Sequence, residues 1–205
     1  MAKHNTIAPV DFTGWRQFLA LTALYIDRAN DWIGRGMSWL VPLMVLNTCV
    51  VAVFRYAFGI GWVWFQEIYV WTHGSIIMVA MGYTLLHEGH VRVDIIYENL
   101  NARKRAWINL LGVIFFLLPM VFMVLWVAYP YVALSLTRFE GSPNAGGLPG
   151  LYALKSTLLV FCAGLGAQGF SLAFRSILEL SPGINCTPFD NSQVIDPEEG
   201  DASCK

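Results

Sequence analysis

Residues 106–137, AWINLLGVIFFLLPMVFMVLWVAYPYVALSLT, run from end to end without an Asp, Glu, Lys or Arg. About 20 apolar residues in a helix cross a bilayer core roughly 30 Å thick. The run is therefore too long for one straight crossing and too short for two crossings with a turn. Because only a helix satisfies the backbone polar groups of such a segment in lipid, we predict one tilted or extended membrane helix over 107–136, with Pro119 as a possible kink.

Three further windows lack charged residues over the length of a crossing: 36–54, 68–86 and 156–174. The chain has 205 residues, of which 56% are apolar and 13% charged, whereas soluble domains contain about 25% charged residues. We therefore predict an all-α integral membrane protein, a single domain with four transmembrane helices at 36–57, 62–88, 107–136 and 152–178. The N-terminus lacks the pattern of a cleaved secretory signal, so the first span is expected to remain in the mature protein.

The distribution of Lys and Arg predicts the orientation, because cytoplasmic flanks are enriched in these residues. With an inner N-terminus, the outer side receives only three, Arg55, Arg138 and Lys155. The inner side receives the other ten. Both termini are thus predicted to be cytoplasmic.

The segments between spans also carry patterns. Residues 11–35 place Trp15, Phe18, Leu19, Thr22, Ile26, Ala29 and Ile33 on one helical stripe, while Asp27, Arg28, Asp31 and Arg35 interrupt any apolar run. This predicts an amphipathic helix on the membrane surface or against a partner. Residues 91–106 predict a weaker amphipathic connector, 137–151 a shaped Gly- and Pro-rich loop, and 181–205 a disordered acidic tail.

Several kinds of chemistry can be weighed on this pattern. In HEGH, His87 and His90 are three residues apart, not four as in the zinc protease motif, and no third ligand is evident. No basic stripe suggests nucleic-acid binding, and no cysteine spacing suggests a disulfide framework or zinc. A haem anchor would use His73 and His87, but the first, third and fourth spans offer no opposing histidine.

A transport path through the chain alone would need ionisable groups at mid-membrane depth. The predicted spans carry such groups only near their ends, with Asn47 and Gln168 as internal amides. This pattern therefore predicts an accessory subunit and not a transporter that acts alone. On the fourth span, small residues that permit close helix approach form one stripe, Cys162, Gly166, Gly169 and Ala173. This stripe could pack within the chain or against a partner.

The segments WVWFQE before the second span, HEGHVRVDIIYENL at its end, the basic NARKRAW that follows, and SPNAGGLPGLYALKSTLLVFCAGLGAQGFSLAFRSI resemble a known family. They are similar to the small membrane subunit of tripartite ATP-independent periplasmic (TRAP) transporters, the DctQ family, and to its longer mannitol or chloroaromatic-type members. The resemblance covers roughly residues 35–178.

The resemblance implies a bacterial inner-membrane importer of a small organic acid. A soluble periplasmic binding protein (DctP-like) captures the solute, and a large multi-span permease subunit (DctM-like) carries it inward with sodium. The small subunit is implied to be a non-moving, non-enzymatic scaffold that stabilises the large subunit and helps to dock the binding protein. It would hold no cofactor, with sodium bound on the large subunit only, and membrane lipids as further contacts.

Carried over residue by residue, the resemblance suggests partner or headgroup contacts at the two ends of the second span, namely Trp62, Trp64, Glu67, His87, His90, Arg92 and Asp94. For docking of the binding protein we select the outward residues Arg55, Tyr56, Arg138, Glu140 and Pro149, because surface loops on a rigid frame often carry recognition. Two other functions stay open at this point: a haem or quinone anchor of an oxidoreductase, and a self-assembled channel or small exporter.

Overall fold

A computed structural model describes residues 14–87 and 102–181. These residues form helices α1 (Trp15–Ser38), α2 (Leu40–Ala57), α3 (Val63–Leu86), α4 (Ala102–Gly112), α5 (Leu118–Thr137) and α6 (Leu151–Leu180), with a π-helical segment, Val113–Leu117, between α4 and α5. Among the described residues, four helical runs are long and apolar enough to cross a membrane. This finding confirms an all-helical chain with four candidate spans.

The first of these runs is longer than the predicted first span. Helices α1 and α2 are separated only at Trp39, whose backbone N–H still donates to the carbonyl of Gly36 at 3.3 Å. The run extends over Trp15–Ala57. From Trp15 onward, the segments that we predicted as a surface helix (11–35) and as a first span (36–57) therefore form one nearly continuous helix.

The third run, Arg103–Thr137, is also continuous but contains the π segment just before Pro119. Proline has no backbone N–H and its ring crowds the carbonyl four residues earlier. A widened turn accommodates both effects without ending the helix. The irregularity thus lies where the sequence suggested a kink.

Helix α6 is the centre of the bundle and packs against α1, α3, α4 and α5. Cys162 and Leu165 on α6 form a buried apolar cluster with Val121 of α5. By contrast, α2 contributes no buried residue and packs mainly against α3. The apolar side chains of α2 therefore face outward, which suits contact with lipid or with another helix.

The small-residue stripe of α6, Cys162, Gly166, Gly169 and Ala173, is buried within the chain. A methyl group on Gly166 would lie 3.4 Å from Val121 of α5, and one on Gly169 would collide with the end of the Leu117 side chain. Close approach of helices explains the small residues. Of the two alternatives that the sequence left open, the described structure displays packing within the chain.

Candidate functional site

Two polar sites stand out, one at each end of the bundle. The loop end is where α2 leads into α3 and α5 leads into α6. At the opposite end, which we call the α1 end, α1 lies against the last turns of α3 and α6. Each end brings together charged and amide side chains from different helices or from a helix and a loop.

At the α1 end, the carboxylate of Asp27 is buried. Its Oδ1 accepts hydrogen bonds from Gln168 Nε2 at 2.8 Å and from Ser171 Oγ at 2.7 Å, and its Oδ2 is ion-paired with the Arg175 guanidinium. Asn30 Nδ2 donates to Gln168 Oε1 at 2.6 Å. We call this set the polar cluster: Asp27, Asn30, Gln168, Ser171 and Arg175.

The polar cluster lies on a face of α1 that the sequence analysis did not select. The face that turns into the bundle carries Ala20, Ala23, Asp27, Asn30 and Gly34. Trp15 and Phe18 of the predicted amphipathic stripe are exposed, and contact of that stripe with a membrane surface or a partner stays a prediction. The charges of Asp27 and Arg175 satisfy each other, which offsets the high cost of removing either charge from water.

Glycine allows the helices to approach closely enough for these bonds. A Cβ atom at Gly82 of α3 would lie 2.8 Å from Asn30 Oδ1 and 3.0 Å from the carbonyl oxygen of Gly164. At Gly34 of α1, a Cβ atom would overlap the ring of Tyr83. Around the polar cluster, the glycine backbones of α1 and α3 therefore lie directly against side chains of the neighbouring helix.

His87, a predicted partner or headgroup contact, also lies at the α1 end. Its Nε2 is 3.2 Å from Asp31 Oδ1, and its ring lies at a tilt of 50° to the ring of Tyr83, with the centroids 4.3 Å apart. Asp31 also pairs with Arg35 at 2.9 Å on the surface of α1. In the structure His87 therefore joins α3 to α1 of the same chain, while three residues predicted with it, His90, Arg92 and Asp94, lie outside the described residues.

At the loop end, Glu67 of α3 is buried, although it was predicted to contact a partner or lipid headgroups. Its Oε1 accepts hydrogen bonds from Ser142 Oγ and from Asn144 Nδ2, the latter at 2.9 Å, and its Oε2 accepts one from the backbone N–H of Leu148 at 2.7 Å. All three donors belong to the α5–α6 loop. The carboxylate is thus occupied by its own chain.

Glu140 is held in a similar way at the start of that loop. Its Oε2 accepts from Lys155 Nζ at 2.6 Å and from Ser135 Oγ at 2.7 Å. The bond from Lys155, followed by that from Ser135, lowers the pKa of the Glu140 carboxyl below its ordinary value. Lys155 Nζ also lies 4.2 Å from the centre of the Tyr131 ring. Glu140, predicted to dock a partner, therefore first ties the loop to α6.

The other predicted residues of the loop end are exposed. The predicted docking residues Arg55, Tyr56, Arg138 and Pro149 are all open to the surroundings. Trp62 and Trp64 are exposed as well, with ring centroids 6.5 Å apart. Such rings at helix ends suit the headgroup region of a bilayer. The structure brings these residues to one end of the molecule but joins only Glu67 and Glu140 to the loop by hydrogen bonds.

Two functional candidates escaped the sequence reasoning: Asp27 with its cluster, and the donors around Glu67. The partners of Asp27 lie more than 140 residues away on α6. One signal was available, namely the small and polar stripe of α1 at helical spacing, which marks a face that packs closely. In the described residues, no group of three His, Cys, Asp or Glu side chains could hold a metal ion.

Comparison with known protein families gives one match. The family described as "Tripartite ATP-independent periplasmic transporters, DctQ component" matches residues 44–180, which is more than half of the chain. The matched residues extend from α2 to the end of α6 and include the loop end. Searches of curated proteins and of solved structures found no match.

Proposed function

Because the chain belongs to the DctQ component family of TRAP transporters, we propose that it is the static small subunit of a sodium-coupled importer of a small organic acid. In this role it stabilises the large permease subunit and helps to dock a periplasmic solute-binding protein, without carrying solute itself. Membership of this family makes the chain a multi-pass transporter subunit and not an enzyme. An oxidoreductase anchor has no such support.

The observation that carries the scaffold role is the polar cluster. Ionisable groups inside a membrane protein commonly mark transport paths, but Asp27 and Arg175 are bonded to each other and to α6 side chains. These bonds hold α1 against α6. Charged groups committed to joining two helices favour a rigid frame over a moving carrier.

For the membrane orientation, we assign the loop end to the periplasm and the α1 end to the cytoplasm. The loop end carries few cations, Arg55, Arg138 and Lys155, and Lys155 is paired with Glu140. The positive-inside rule supports this assignment. The exposed apolar surface of α2 and α5 would then face lipid and the large subunit.

Docking of the binding protein is assigned to the loop end, through Arg55, Tyr56, Arg138, Glu140 and Pro149. The support is that this end combines a shaped loop with exposed side chains. If docking uses this surface, replacing Arg138 and Glu140 together lowers both uptake and the affinity for the binding protein. Unchanged uptake and affinity in the double variant would remove the assignment.

The scaffold role is tested by affinity purification of the tagged chain from native membranes, followed by mass spectrometry. We expect a much larger multi-span protein encoded with it to copurify in a fixed ratio. Recovery of this chain alone, as an oligomer, would instead support a self-assembled channel. The optical spectrum of the same sample gives a second reading, because a Soret band would indicate a haem anchor.

A further inference from the structure

The buried carboxylate of Glu67 accepts hydrogen bonds from three donors of the α5–α6 loop. Three different kinds of donor reach it: the Ser142 hydroxyl, the Asn144 amide and the backbone N–H of Leu148. An ionised carboxylate accepts through both oxygens and forms stronger hydrogen bonds than a neutral acceptor. The chain between Ser142 and Leu148 therefore bends around one anion supplied by α3.

Glycine is needed for this bend. Gly146 has a positive φ of 75°, a conformation that other residues adopt at a cost. At Gly147, a Cβ atom would lie 2.5 Å from Ser142 Oγ and 2.8 Å from Glu67 Oε1. A backbone N–H of Gly147 also closes the turn onto the Asn144 carbonyl at 3.0 Å. The two glycines of SPNAGG thus allow the loop to turn closely around the Glu67 carboxylate.

The exposed residues of the loop differ from the residues that bond the loop to Glu67. Pro143, Ala145 and Gly146 are exposed. Glu67 is buried, and its carboxylate is bonded to Ser142, Asn144 and Leu148 of the loop. A partner that approaches the loop end would therefore meet the loop and not the Glu67 carboxylate.

We propose that Glu67 is a positioning residue, the internal ligand that holds loop 142–148 in one shape for a periplasmic partner. The part of this inference that concerns docking rests on the proposed function, whereas the part that concerns loop order does not. A loop that is already ordered loses less conformational freedom on binding. Glu67 thus contributes to docking through the loop and without touching the partner.

The first experiment measures loop order directly. A spin label is attached at Ala145→Cys in full-length chain whose native cysteines have been replaced, purified with the large subunit and placed in nanodiscs. We expect Glu67→Gln to sharpen the spectrum, because the amide N–H₂ group faces donors where the carboxylate accepted. Ser142→Ala removes the hydroxyl that donates to Glu67 from the loop, and it should sharpen the spectrum as well.

Gln66→Ala is the matched control, since Gln66 lies beside Glu67 on α3. It should leave the spectrum unchanged. If both Glu67→Gln and Ser142→Ala leave the label as immobile as in the parent protein, the positioning role is overturned. The Ser142 variant keeps this test decisive even if the Glu67 variant does not fold.

The second experiment measures docking on the same samples, as the dissociation constant of the purified solute-binding protein. Loss of preorganisation should weaken it about tenfold in Glu67→Gln, the size expected for ordering a few side chains on binding. Because buried donors lose their acceptor, the thermal midpoint is expected to fall as well, so the dissociation constant is measured well below the midpoint of each variant. A lowered midpoint with an unchanged label spectrum and an unchanged affinity would indicate a merely structural role and would contradict the proposal. A loosened loop with unchanged affinity would keep Glu67 as the loop's internal ligand but overturn docking at this loop.

Discussion

Asp27→Ala should be among the most damaging single substitutions in the bundle. The change removes the acceptor of Gln168 and Ser171 and takes the Asp27 carboxylate away from the Arg175 guanidinium. The side chains of Arg175 and Asp27 are only 16% and 10% exposed, so water cannot replace the lost partner. Breaking a buried pair on one side costs about 3–5 kcal/mol.

A second ion pair on α1 provides the comparison. Arg35 and Asp31 are 2.9 Å apart, but their side chains are 70% and 28% exposed. Exposed pairs are worth about 0–1 kcal/mol. Arg35→Ala should therefore cost at most about 1 kcal/mol, and the difference between the two variants isolates the effect of burial.

The assay is reversible unfolding of the purified chain in mixed micelles, with hydrogen exchange to locate the loss. Asp27→Ala should lower the free energy of unfolding and raise exchange in α1 far more than in α2, because the polar cluster binds α1 to α6. Replacing Asp27 and Arg175 together by Leu and Met should cost less than the two single changes added, since both members of the buried ion pair are removed together. Additive effects, or a cost for Asp27→Ala no larger than for Arg35→Ala, would refute this reasoning.

Two further predictions follow from the packing and from the loop. Gly82→Ala should lower the free energy of unfolding by about 1–3 kcal/mol through overpacking against Asn30, measured in the same micelles. Gly74→Ala should be tolerated, because its added methyl group would lie 3.6 Å from the nearest side chain; equal losses in both variants would contradict the packing. The lowered pKa of Glu140 means that its contribution is present above the ordinary pKa of 4.5 and is lost as the pH falls through the lower folded value. A spin label near Glu140 should therefore gain mobility in acid and not between neutral pH and pH 6. Glu140→Gln should reduce this response without abolishing it, because the Glu67 carboxylate holds the same loop; a transition near neutral pH would exclude Glu140 as its cause.

The four candidate spans could be predicted because each depends on local composition. A window without charges, long enough to cross lipid, needs no knowledge of the rest of the chain. The same local view separated 11–35 from 36–57, since the charges of Asp27, Arg28 and Asp31 interrupt the apolar run. In the structure Asp27 has its partners on α6, so its charge does not prevent α1 from packing in the bundle, and sequence spacing cannot reveal this long-range pairing.

The candidate sites were predicted in part. Glu67 was selected from the family resemblance and Glu140 as an outward loop residue. Their partners were not predicted, since the donors to Glu67 lie 75 or more residues further along the chain. Asp27 was identified only as a charge that interrupts the apolar run of 11–35, and no partner was predicted for it. Long-range pairing of polar groups is set by the packing of helices, and that packing is not encoded in any single window.

The central claim is that this chain supports transport without performing it. The most direct test is uptake of sodium-22 and of radiolabelled carboxylates by proteoliposomes that contain this chain alone, measured beside liposomes with the large subunit and the binding protein added. We predict no flux above that of empty liposomes for the chain alone, and sodium-dependent uptake only in the complete system. Solute or sodium flux through the chain alone would contradict the account.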